Sequence, residues 1–395
     1  MQGVLNGIRV LDFGRFIAGP YCGMMLGDFG AEVIRVDKIG GSEDRFILPL
    51  AESGEGGMFM QINRNKRDIT LNPSSTEGRE ILRKLVEKTD VVIANLPWGV
   101  LPALGIDYES LKAIKPDIIL ATMSTFGREG PYKDRVGFDG IAQAMSGNMH
   151  MIGHDGENYK SMAPYCDFGT AMSAAFGVMV ALRHRDQTGE GQVVEATLMR
   201  TGMTMTNSYL IEQAITAPDR VPTGNLGQTA GPADLYKAKD GQVLVQVVSN
   251  NLYRRWARLM DDPDQWINDP RFKDDVSRGE NGHILSEAMG AWCAERTVQE
   301  CLEALESVRV PAGPVLSGQQ VLDDEHVNAT NMLNYMSFPG LAKDAPIMGP
   351  PVELTATPGK IETRAPLVGE QTDEILAELG YDDVAIADLK EKGAV

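Results

Sequence analysis

The chain has 395 residues, 43% hydrophobic and 23% charged, with a formal net charge of −18. These are the proportions of a soluble globular protein, and the length predicts two domains rather than one core. The acidic balance argues against nucleic acid or an anionic membrane surface as the partner, while a local basic pocket for an anionic ligand stays compatible with it.

In chain order, GIRVLDF (Gly7–Phe13) reads as a strand, AGPYCGMMLGDFG (Ala18–Gly30) as a helix and AEVIRVD (Ala31–Asp37) as a second strand. Strand, helix and strand at this spacing make a βαβ unit with parallel strands. Helix Gly78–Thr89, strand Asp90–Leu96, helix Tyr108–Pro116 and strand Asp117–Ser124 continue the alternation. The fold class expected is therefore α/β, doubly wound, with its ligand at the carboxyl ends of the strands. Asp37 sits where a ribose-binding acid would, but GRFIAGP follows the first strand instead of GxGxxG, which argues against a dinucleotide. From about Gly224 the texture changes. TGNLGQTAGP (Thr223–Pro232) is a glycine-rich loop, and LYKAKDGQVLVQVVS reads as a hairpin turning at Asp240–Gly241. Helices over Ile284–Glu295 and Val298–Val308 complete a smaller α+β domain, and the tail ends in two amphipathic helices.

Most constellations can be set aside. His150 and His154 are four apart but straddle a glycine turn without a carboxylate partner, so no metal site is expected. GxSxG is absent, which removes the common hydrolase elbow. Cys22, Cys166, Cys293 and Cys301 lack CxxC spacing and read as reduced thiols. The start, MQGVLNGIRVLDF, has no basic stretch leading into an apolar core, and no run approaches the roughly 18 apolar residues of a membrane span. A cytoplasmic protein is expected.

Asp167 stands apart as the single carboxylate between Glu157 and Asp186, at the mouth of a small-residue helix, FGTAMSAAFGVMVALRHR. Two readings stay open on pattern alone. It is an N-cap worth about 1 kcal/mol, or it is a nucleophile or base kept ionised by the helix dipole.

Taken together, GIRVLDFGRFIAGPYCGMMLGDFGAEVIRVDK, NRNKRDITLN, GPYKDRVGFDGIAQAMSG, DFGTAMSAAFGVMVALRHRDQTGEGQVVEATL, DPRF, VPAGPV and TRAPLVGEQTDEIL resemble, in order and spacing, the class III CoA-transferases of the CaiB/BaiF type. That family contains formyl-CoA transferase, carnitine CoA-transferase and the α-methylacyl-CoA racemases. The resemblance implies a large Rossmann-like CoA-binding domain over 1–222 and 328–395, a small α+β domain over 223–327, and an interlocked homodimer. It implies an acyl-CoA:carboxylate CoA-transferase with no tightly bound cofactor and CoA thioesters as substrates. Asp167 would be the covalent nucleophile, passing through a mixed anhydride and an aspartyl-CoA thioester, with Asp139 orienting the site or capping a helix. Arg15, Lys38, Asn95 and Arg135 match the family's CoA contacts, and Gly224 and Gly227 lie in its mobile glycine loop. Racemases need a histidine where this chain has Phe138, which favours the transferase over the isomerase; a non-catalytic CoA-binding protein is the third reading. Ala103 and Ile17 depart from the family pattern, leave the grip on CoA incompletely assigned, and make formyl-CoA with oxalate an unlikely pair.

Overall fold

Short runs that are apolar on both faces can lie only inside a sheet covered on both sides. The computed structural model, which describes residues 3–395, joins such runs with two less apolar ones in a six-stranded sheet: β1 (Arg9–Asp12), β2 (Glu32–Asp37), β3 (Lys66–Thr70), β4 (Val91–Ala94), β5 (Ile119–Ser124) and β6 (Val193–Thr197). Their order is β3-β2-β1-β4-β5-β6, and every neighbouring pair is parallel. Val10, Val33, Val91 and Ile119 face one apolar core, and their neighbours Leu11, Ile34, Val92 and Leu120 face the other. The fold is mixed α/β with a six-stranded parallel sheet.

Two helices, α1 (Ala18–Asp28) and α5 (Tyr165–Thr188), cover the first face; α2 (Thr76–Glu87) and α3 (Tyr108–Ile114) cover the second, joined there by the tail helices Thr372–Glu378 and Asp383–Glu391. Between them in sequence lies α4 (Asp139–Met145), and α6 (Leu198–Thr216) follows β6. α5 is long and apolar enough to cross a membrane by length and composition. Its buried side, Ala171, Ala174, Ala175 and Val178, is nevertheless packed into a core with α1 and the strands. Small side chains let the two helices approach closely.

β3 and β6 are absent from the strands read off the sequence. KRDIT hides its strand character because Lys66 and Asp68 are buried for an ionic reason rather than an apolar one. Lys66 Nζ reaches Asp12 Oδ2 at 2.7 Å, the carbonyl of Pro20 at 2.7 Å and Asn63 Oδ1 at 2.9 Å. Arg35 Nη2 reaches Asp37 and Asp44, each at 2.9 Å, and Arg45 Nη2 reaches Asp68 at 2.6 Å. Asp68 in turn accepts the N–H of Gly369 at 2.6 Å, tying the returning tail to the sheet.

Chain contacts separate two compact units: residues up to Asn148 with Lys160–Ala217 and Ala329–Val395, and Met149–Tyr159 with Pro218–Asn328. The second unit holds the antiparallel hairpin Ala233–Lys237 and Gln242–Gln246, with Ala312–Pro314 as a third strand, around a core that includes Trp256, Leu285 and Leu305. The sequence-derived boundaries left Met149–Tyr159 in the large domain. It belongs to the second unit because its hairpin, Gly153–His154 with Glu157–Asn158, bridges Thr223 through His154, and Gly224 N–H donates to the Gly153 carbonyl.

The Asp12–Lys66 pair is fully buried. Burial pushes the Asp12 carboxyl up, but Lys66 and Arg35 together bring it below its ordinary value. Replacing Lys66 by Ala strands that charge, and chemical denaturation should show a loss of about 3–5 kcal/mol. The double substitution Asp12→Asn, Lys66→Met should recover part of the loss.

Candidate active site

Between β1 and β4 the strand order reverses, and a cavity of about 370 Å³ opens at their carboxyl ends. Connections leaving an open parallel sheet on opposite faces create such a crevice, which is where these folds take ligands. Arg15 and Phe16 follow β1, Asn95 and Trp98 follow β4, and Thr125 and Phe126 follow β5; all line the cavity. The loop Lys133–Phe138 and Asp167 complete its wall.

Each loop is fixed by a side chain at a strand end. Asp12 accepts the Gly14 N–H at 2.7 Å on the oxygen that Lys66 leaves free. Asn95 grips one residue by both its polar ends: Oδ1 accepts the Arg15 N–H at 2.7 Å, and Nδ2 donates to the Arg15 carbonyl at 2.7 Å. Helix α1 starts so close to this turn that a Cβ on Gly19 would stand 2.7 Å from Gly14 Cα. Thr125 Oγ1 donates to the Gly137 carbonyl at 2.7 Å and so sets the start of α4.

The first turn of α4 carries Asp139 into a buried position. Its Oδ1 accepts the N–H groups of Cys166 at 2.8 Å and of Asp167 at 3.1 Å, and its Oδ2 takes Gln143 Nε2. α5 has no side-chain cap of its own. The open donors of its first turn are met instead by an acid from another helix. Asp167 is thus inside the first turn rather than at the cap, and its carboxylate receives no hydrogen bond among the described residues. The capping alternative weighed on the sequence falls to Asp139.

Burial, and after it the charge of Asp139, pushes the Asp167 carboxyl from its ordinary 3.8 up to about 7. The expectation that the helix dipole keeps Asp167 ionised is corrected by this. The positive end of α5 favours a carboxylate, but Asp139 already occupies two of its amides and adds a like charge. Near neutrality both forms of Asp167 are populated. The neighbouring Cys166 thiol is pushed up to about 12 by burial and by the two carboxylates, so it stays protonated.

Of the expected CoA contacts, Arg15, Asn95 and Arg135 line the cavity. Arg15 also donates to the carbonyls of Gly14 at 2.8 Å and Val36 at 3.0 Å, and the Arg135 guanidinium lies 4.1 Å from the centre of the Tyr132 ring. Lys38 is not brought to the cavity wall; it opens a short exposed turn after β2 and is paired with Glu43. Gly224 and Gly227 have local explanations in the second unit. Gly224 has φ +67 with its Cβ position 2.5 Å from the His154 ring, and a Cβ on Gly227 would meet Ala233 at 2.8 Å. Lys133 and Trp98 line the cavity without having been singled out. Both had a usable signal: Lys133 lies in GPYKDRVGFDGIAQAMSG, two positions before Arg135, and Trp98 stands four residues past the end of β4.

A family model described as CoA-transferase family III matches residues 5–372. The chain belongs to that family. This family III CoA-transferase is 33% identical over 390 residues to the succinyl-CoA:mesaconate CoA-transferase of Haloarcula marismortui, covering 96% of this chain and 98% of that one. It is 31% identical over 397 residues to the succinyl-CoA–D-citramalate CoA-transferase of Chloroflexus aurantiacus, covering 98% and 97%. A solved CAIB/BAIF family protein from Brucella suis superposes with a TM-score of 0.83 at 28% identity, covering 96% of this chain and all of that one.

Because Asp167 binds its proton more tightly folded than unfolded, the stability it contributes is present at low pH and is lost as pH rises from about 4 to 7. Asp167→Asn keeps the shape and removes that loss. Thermal melts should show the variant more stable than the parent at about pH 8, by roughly 1–2 °C per kcal/mol regained, and equal to it near pH 4.

Proposed function

We propose that this protein moves CoA from an acyl-CoA, succinyl-CoA first among the donors, to a carboxylic acid through covalent intermediates on Asp167. The observation that carries this reading is the Asp167 carboxylate itself, without a hydrogen-bond partner on the wall of the switch-point cavity in a chain of the CoA-transferase family. Relatives named for succinyl-CoA support the donor.

Asp167 Oδ attacks the thioester carbonyl carbon, the C–S bond breaks, and CoA leaves as thiolate from a mixed anhydride. The thiolate then attacks the aspartyl carbon and expels the donor acid as its carboxylate, leaving an aspartyl-CoA thioester. The acceptor carboxylate attacks this thioester and frees the thiolate again. Attack of the thiolate on the acceptor's acyl carbon yields the new thioester and regenerates Asp167. Anhydride and thioester are similarly activated, so each exchange runs with little loss of free energy, provided water is kept out. No proton moves in the cycle, which leaves one titration requirement: Asp167 must start ionised.

Arg15, Lys133 and Arg135 give the cavity the positive charge that the phosphates of CoA need. Asp139 acts as a positioning residue, since its oxygen accepts the N–H of Asp167 itself. Phe138 holds no exchangeable proton, which speaks against racemisation. We also assign a homodimer to this chain, supported by the apolar outer sides of α5 and α6, where Phe176 is 72% and Ile215 79% exposed. Light scattering should give twice the chain mass.

Intact mass spectrometry after mixing with succinyl-CoA should show a CoA-sized adduct that maps to Asp167 and is absent from Asp167→Ala. No adduct with any acyl-CoA, together with solvent deuterium appearing at the α-carbon of a branched donor, would replace transfer by racemisation. In steady state, kcat/KM should climb with pH and level off above about 7, because the ionised form of Asp167 is the nucleophile. Asp139→Asn keeps an acceptor for the two amides but drops the charge, so that acid limb should move to lower pH.

A further inference from the structure

Phe16 has φ +60, in the left-handed region that residues with a large side chain seldom occupy. Its neighbours hold it there. Both backbone polar groups of Arg15 are bound by Asn95, and the Ile17 carbonyl accepts the Tyr21 N–H at 2.8 Å as α1 begins. In this conformation the Phe16 ring meets the ring of Phe138 edge to face, with centroids 5.3 Å apart and planes at 79°. Phe138 immediately precedes Asp139, whose oxygen accepts the Asp167 N–H. Both rings line the same cavity as Asp167, and both stay bare: Phe16 is 37% and Phe138 63% exposed. A large ring held bare on a cavity wall by a strained backbone, with a second bare ring packed against it, is contact surface for the apolar part of a ligand.

Resting on the transferase reading above, we propose that Phe16 and Phe138 form a paired specificity element that admits a straight, short acyl group to Asp167 and rejects branched or aromatic ones, with Asn95 as its positioning residue. The phosphates of an acyl-CoA carry no information about its acyl group; the width of the acyl group is what two edge-packed rings can sense. Asn95 acts on selectivity through Phe16, by fixing the turn that presents the ring.

The test uses the full-length enzyme and Phe16→Gly, a residue at ease at this φ, with Phe138→Ala, the double variant, Asn95→Ala and Asn95→Asp. Donors are succinyl-CoA, propionyl-CoA, isobutyryl-CoA and benzoyl-CoA with one common acceptor. The branched-to-straight ratio of kcat/KM should rise about tenfold or more in each single phenylalanine variant. The double variant should gain less than the product of the two, because the rings touch. Asn95→Ala should move the ratio the same way, and Asn95→Asp, which keeps the acceptor for the Arg15 N–H, should move it less. Ratios that stay within about twofold while transfer persists overturn the proposal, as does a parent enzyme that takes benzoyl-CoA as readily as succinyl-CoA. Absence of any Asp167 adduct in the parent enzyme overturns the transferase reading itself, and the paired element with it.

Discussion

One oxygen of Asp139 accepts two amide protons from the first turn of α5, and the geometry of the cavity follows from that contact. An acid borrowed from another helix does what a local cap would do, so the first turn is left free to carry a second acid. The two carboxylates are then forced into proximity inside a partly desolvated wall. Burial and like charge raise Asp167 until its proton is held near neutrality. A group in that state is a better nucleophile than a fully stabilised carboxylate, because no hydrogen bond must be broken before it attacks.

Behind the turn that follows β1 lies a buried ionic cluster. Asp12 and Asp37 end β1 and β2, Arg35 lies within β2, Asp44 and Arg45 follow it, and Lys66 and Asp68 belong to β3; all are buried, and each is paired. Buried ion pairs add little stability compared with apolar packing of the same volume. What they do here is tie three strands and the returning tail together, with Asp12 turning the chain at Gly14 and Asn95 gripping Arg15. A strained Phe16 is tolerable there because Asp12 and Asn95 hold the chain just before it.

α5 combines two packing regimes. Its alanine-rich side lets α1 and the sheet come close, while Phe176, Met179 and Val180 on other sides stay exposed. The same helix therefore carries Asp167 at one end, a dry core along one side and an apolar surface along another. Displacement of this helix would reach all three.

The sequence by itself determined the alternation of strands and helices in β1, β2, β4 and β5, the parallel sheet, the hairpin around Asp240–Gly241 and the two tail helices, since these follow from local periodicity and turn chemistry. It also singled out Asp167, through an isolated acid before a run of small residues. Tertiary structure alone decided the rest. β3 is a strand whose charges are neutralised by partners far away in sequence, so no local pattern marks it. The cap on α5 comes from Asp139, 28 positions before Asp167, which is why an N-cap and a nucleophile could not be told apart at Asp167. Lys38 reads as a CoA contact by position, and the fold leaves it off the cavity wall beside Glu43, while Lys133 reaches the cavity from a loop that local periodicity does not place. Backbone periodicity is written in neighbours; the protonation state of Asp167 and the walls of its cavity are set by groups that only folding brings near.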